Sequence, residues 1–103
     1  MNYMRTYGNS PFTVAVIHGG PGAPGELAPV ARELAKTHRV LEPLQTASTL
    51  EGQVVELETI LKRSSLLPVA LIGHSWGAML SYLLAAQSPS LVKKLIVVRS
   101  AEI

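Results

Sequence analysis

Aspartate and cysteine are both missing from this sequence, and each absence closes off a class of chemistry. Without cysteine there is no disulfide framework and no thiolate metal ligand. The three histidines, His18, His38 and His74, stand too far apart in sequence to form a local metal motif, so neither a metal nor another cofactor is expected. Charge is scarce as well, at 16% of residues with a formal net charge of +2. The cations Arg5, Arg32, Lys36, Arg39, Lys62, Arg63, Lys93, Lys94 and Arg99 are scattered rather than gathered in a run, which argues against nucleic acid as a partner. No window approaches the roughly 18 apolar residues needed to cross a bilayer. The opening "MNYMRTYGNSPF" has no uninterrupted apolar stretch, so the expectation is a soluble, cytoplasmic protein without membrane association.

What is present is apolar: 48% of the 103 residues are hydrophobic, enough for one small globular domain over 1–103. After a polar leader, Thr13 to Ile17 is a β-branched and apolar run stopped by glycines, which predicts a strand buried on both faces. In "GELAPVARELAKTH", Leu27, Val30, Ala31, Leu34 and Ala35 form one stripe of a first helix, with His38 at its end, where a cation suits the helix dipole. "RVLEPL" is a brief second strand, and Pro43 predicts that it lies at a sheet edge. Ser48 and Glu51 form a capping box for a second helix over Thr49 to Arg63, striped by Leu50, Val54, Leu57 and Leu61. A third strand over Val69 to Ile72, a helix from Trp76 to Gln87 stopped by Ser88-Pro89, and a fourth strand in "KKLIVVRS" complete the chain. Strands alternating with helices predict an α/β fold: an open, mostly parallel sheet of about four strands with helices on both faces.

Gly73, Ser75 and Gly77 match G-x-S-x-G between a strand and a helix. A nucleophile lifted out of such a turn sits in strained backbone, and bulk two residues before or after it would strike the neighbouring strand and helix. The helix behind Ser75 aims its first N–H groups at the same spot, the Trp76 N–H foremost. A plainer alternative is that Ser75 is only a helix N-cap. A second motif, His18-Gly19-Gly20-Pro21-Gly22, follows the first strand. Together the two motifs resemble the α/β-hydrolase superfamily, in particular its proline iminopeptidase-like branch. The resemblance covers nearly the whole chain but corresponds to the N-terminal portion of a typical member. It implies Ser75 as nucleophile, the backbone N–H groups of Trp76 and Gly20 as the oxyanion hole, and a structural rather than catalytic role for His18. Two departures stand out: "LEPLQTAS" lacks the Asp-x-Arg-Gly-x-Gly stretch common in the family, and Arg99 stands where many members carry a small residue.

The same loop supports a rival reading, because Gly20 to Gly25 spell G-x-G-x-x-G with Glu42 some way on as a ribose-binding carboxylate. Pro21 and Pro24 count against it, since each removes an N–H from the loop meant to cradle pyrophosphate.

A serine hydrolase also needs a His base and an acid to orient it, yet no His follows Ser75, and Glu102 is the one carboxylate that does. His74 is the neighbour of Ser75 in sequence, but side chains diverge on a sharp turn, and a packed position beneath it is the expectation. The reading is therefore a serine hydrolase for an ester or amide, on a small-molecule or short-peptide substrate, weak or inactive as this stretch alone. The alternative is a non-catalytic interaction module of the same fold. A sheet order of strand two, one, three, four leaves the first helix alone on one face. Val14, Val16, Val69, Leu71, Ile96 and Val98 are then expected to be under-covered, which favours a homodimer or a complementing chain.

Overall fold

The computed structural model describes residues 4–19 and 27–98. Its five strands are β1 (Met4–Tyr7), β2 (Phe12–Ile17), β3 (Val40–Pro43), β4 (Ser65–His74) and β5 (Val92–Val98). They form one sheet in the order β1-β3-β2-β4-β5. The helices are α1 (Ala28–Leu34), α2 (Leu50–Ser64) and α3 (Trp76–Gln87), with a short 3₁₀ turn, Pro89–Leu91, before β5. Strands β3, β2, β4 and β5 run parallel in the order the sequence suggests.

The fifth strand is the first departure from expectation. What reads as a polar leader contains β1, which pairs antiparallel with β3, Met4 opposite Pro43 and Tyr7 opposite Val40. So β3 is not an edge strand, and all four of its residues are buried. Pro43 is tolerated because it is the last residue of β3, where its missing N–H falls at the end of the ladder. Two boundaries also move. The cap of α2 is Thr49 rather than Ser48, its hydroxyl accepting the Gly52 N–H at 3.0 Å. α1 stops at Leu34, so exposed His38 lies in the turn beyond the helix, its N–H on the Leu34 carbonyl at 2.8 Å.

Side chains alternate across the strands and divide the core in two. On one face α2 and α3 press Val54, Leu57, Leu61, Leu80 and Leu84 onto Phe12, Ala15, Ile17, Leu41, Val69 and Leu71. Each large aliphatic side chain fully buried there contributes about 1.5–3 kcal/mol. On the other face short α1 sets Leu27 and Ala31 over Val14, Val16 and Val40, as its solitary position requires.

The under-covered surface is narrower than the sequence suggests. Val14, Val16, Val69 and Leu71 are all buried, the first pair beneath α1 and the second beneath α2 and α3. Exposure gathers instead on β5, where Ile96 is 43%, Val97 55% and Val98 40% exposed. Ile96 and Val98 stand beside Ile72 and His74 on the α1 face, beyond the reach of that seven-residue helix.

Candidate functional site

β4 ends at His74 and α3 begins at Trp76, so the whole change of direction falls on Ser75. Its φ of 56° and ψ of −120° make it the one non-glycine residue with positive φ among the described residues. Such a conformation costs about 1–3 kcal/mol and persists only where the surroundings impose it. Here the Ser75 N–H reaches the Val98 carbonyl at 3.4 Å, and the Ser75 carbonyl accepts from Ala78 N–H at 2.9 Å and Met79 N–H at 3.4 Å. The residue itself is exposed. The plain N-cap alternative fails on two counts: a cap has extended backbone, and the Ser75 side chain makes no capping hydrogen bond.

The flanking glycines answer to close packing. A Cβ on Gly73 would lie 2.6 Å from the Gly77 carbonyl oxygen and 2.7 Å from the Ala78 Cα. One on Gly77 would collide with the carbonyl oxygens of Ile17 and His18, at the end of β2. Buried Ser81 continues this small-residue seam, its hydroxyl returned to the Gly77 carbonyl at 2.7 Å. The helix can therefore start directly over β2 and β4, with its first N–H groups lacking intrahelical acceptors.

His18 is buried in the loop after β2. Its Nδ1–H donates to the Gly19 carbonyl at 2.9 Å, and its Nε2 accepts the Gln45 N–H at 3.1 Å. That pairing assigns the neutral Nδ1–H form and occupies the lone pair a base would use. The expected Gly20 donor and the Gly20–Gly25 fingerprint lie outside the described residues. Glu42, the carboxylate that fingerprint would need, is wholly buried inside β3 and is not offered to a ligand. His74 is half-buried at the end of β4, and His38 is exposed at the opposite end of the sheet, next to Arg39, whose carbonyl accepts from Thr13.

The departure "LEPLQTAS" turns out to be part of the site's framework. Gln45 sends its side-chain NH₂ to the His18 carbonyl at 2.7 Å, in addition to its backbone bond to the imidazole. Glu56 gathers Thr46 N–H at 2.9 Å, Ala47 N–H at 3.4 Å and the Thr46 hydroxyl. Gln53 donates to the Ala47 carbonyl at 3.0 Å and accepts the Trp76 indole N–H at 2.7 Å. None of these glutamine and glutamate roles is anticipated by sequence motifs. A signal does exist: Gln53 lies three residues after Leu50 and four before Leu57, a polar residue on an apolar stripe. In the structure Gln53 is buried, whereas Leu50 is 38% exposed.

Residues 46–102, more than half of the chain, match the sequence profile of the α/β hydrolase fold. The chain belongs to that family. Among solved structures, a carboxylesterase structure from the thaumarchaeon Nitrososphaera gargenis superposes with a TM-score of 0.81 at 23% identity, over 97% of this chain and 42% of that one. The thioesterase domain from the curacin biosynthetic pathway gives 0.80 at 25% identity, over 92% and 40%. A marine microorganism esterase gives 0.77 at 28% identity, over 92% and 40%. This α/β hydrolase chain thus spans about two fifths of the length of these structures. A comparison with curated proteins finds no match. No helix among the described residues is long and apolar enough to cross a membrane.

Proposed function

We propose that this chain is the nucleophile-bearing portion of a serine hydrolase that cleaves an ester or amide, of the proline iminopeptidase-like kind suggested by its two motifs. Ser75 is the nucleophile, and the backbone N–H groups of Trp76 and Gly20 receive the oxyanion. The observation that carries the reading is the positive φ of exposed Ser75, held between two closely packed glycines although its side chain makes no capping hydrogen bond. Similarity to an esterase and a thioesterase domain favours acyl chemistry. In the first step the Ser75 oxygen bonds to the carbonyl carbon and its proton passes to a base. The oxyanion then collapses, the alcohol or amine departs with that proton, and water releases the acid from the acyl-enzyme.

The base is the missing part. His18 is committed through both ring nitrogens, and no His follows Ser75. We assign base and acid to a complementing stretch of polypeptide laid along β5, whose last residue already bonds to Ser75. Without it, acylation runs on the order of 10⁴- to 10⁶-fold below a full triad. A fluorophosphonate probe followed by mapping of the adduct tests the reading. Ser75 is expected to react slowly, because the base is absent, yet faster than exposed Ser10, Ser48 and Ser90, since oxyanion stabilisation alone still accelerates attack, and Ser75→Ala to abolish the selective adduct. Adducts spread evenly over these serines, or none on Ser75, would leave the non-catalytic module as the better account.

A further inference from the structure

Two glutamines that match no catalytic motif connect His18, just past β2, with Trp76 at the start of α3. Resting on the hydrolase reading above, we propose that Gln53 and Gln45 are positioning residues, which hold His18 at the end of β2 and the first residue of α3 in fixed register. Gln53 lies in the first turn of α2 and is 7% exposed. Its carboxamide accepts the Trp76 indole N–H at 2.7 Å and donates to the Ala47 carbonyl at 3.0 Å. Two residues before Ala47, Gln45 clasps His18 twice, at the ring nitrogen and at the carbonyl oxygen. Glu56 fastens the intervening Thr46 and Ala47 to α2. The connection therefore runs from His18 through Gln45 to Ala47, and from there through Gln53 to Trp76.

The chemistry explains why amides are used. Only a group that donates and accepts at once can bridge an indole N–H and a backbone carbonyl, and a carboxylate or an ammonium does one of the two. Trp76 carries the indole and the backbone N–H on the same residue, so fixing the ring limits rotation of the residue that offers the donor. An oxyanion donor is effective only within about 2.7–3.1 Å of its target, which makes such restraint matter. Gln53 and Gln45 act through Trp76 and His18 and touch no substrate.

Amide hydrogen exchange on the full chain tests this, read at Gln45, Ser75 and Ala78, whose N–H groups are all hydrogen-bonded. In Gln53→Leu these three are expected to exchange roughly fivefold to tenfold faster, as for loss of one buried hydrogen bond. Amides in the centre of β2 and β4 are expected to stay unchanged. Emission from Trp76, the only tryptophan, is expected to shift in the same variant. Unchanged exchange at all three sites would overturn the proposal, as would an equal rise in the central strands, which signals general loss of stability. Should Gln53→Leu fail to fold, Trp76→Phe removes the indole donor together with part of the ring, and faster exchange at Gln45 with the central strands unchanged decides the matter in the same way. Fluorophosphonate labelling separates this proposal from the reading beneath it. Slower labelling of Ser75 in Gln53→Leu supports both, whereas an unlabelled Ser75 in the parent chain with the exchange pattern intact removes the hydrolase reading and leaves the clamp standing.

Discussion

The middle of the sheet and its β5 end are built to different standards. Around β3, β2 and β4 every strand has a neighbour on both sides, helices cover both faces, and Val40, Leu41, Ala15, Val16, Val69 and Leu71 are completely buried. Along β5 one edge is unpaired among the described residues, and Ile96, Val97 and Val98 are about half exposed. Ser75 sits on the border, at the end of closed β4 and with its N–H on the carbonyl of open β5. The strained turn thus draws its packing from the closed strands and one backbone hydrogen bond from the open one, which is why the proposed complementing stretch is placed along β5.

That contrast can be broken or sharpened by substitution. The largest effect is expected from Gly77→Ala, because the added methyl meets backbone carbonyls of Ile17 and His18 that cannot rotate away. A loss of more than about 3 kcal/mol in a denaturant titration, or failure to fold, is the expected result. Leu71→Ala, in the closed half, is expected to cost about 2–5 kcal/mol in the same measurement. Ser75→Gly is expected to stabilise by about 1 kcal/mol, since glycine adopts φ 56° without penalty, while removing the probe-reactive hydroxyl. The smallest effect on stability, within about 0.5 kcal/mol, is expected for Ile96→Lys on the open strand. Its signature lies elsewhere: light scattering should report less self-association than for the parent chain. A cost at Ile96 as large as that at Leu71 would show that β5 is buried in solution and would end the contrast.

The parts of this molecule legible in the sequence are those governed by local rules. The glycines of G-x-S-x-G announce the turn because Gly73 and Gly77 are required by contacts within a few residues or with one adjacent strand. The helices follow from apolar spacing, and parallel order follows from their alternation with strands. The misjudged parts depend on partners distant in sequence. Met4–Tyr7 has no apolar alternation of its own, and it becomes a strand only because β3 offers a free edge some forty residues later. Pro43 then misleads, since its meaning depends on where the ladder ends. Gln45 carries no local signal and Gln53 only that of a polar residue on an apolar stripe, because their partners are His18 and Trp76, and single-residue propensities contain no term for either contact.

α2 passes into β4 with no residue between Ser64 and Ser65. Because successive side chains of a strand point to opposite sides, one amino acid inserted at that junction would turn β4 over. Val69 and Leu71 would exchange places with Ala70 and Ile72, and Gly73 would yield its seat under α3 to a residue bearing a side chain. The junction thus works as a reading frame for the sheet, and lengthening it by a single residue would remove the turn along with the core beneath it.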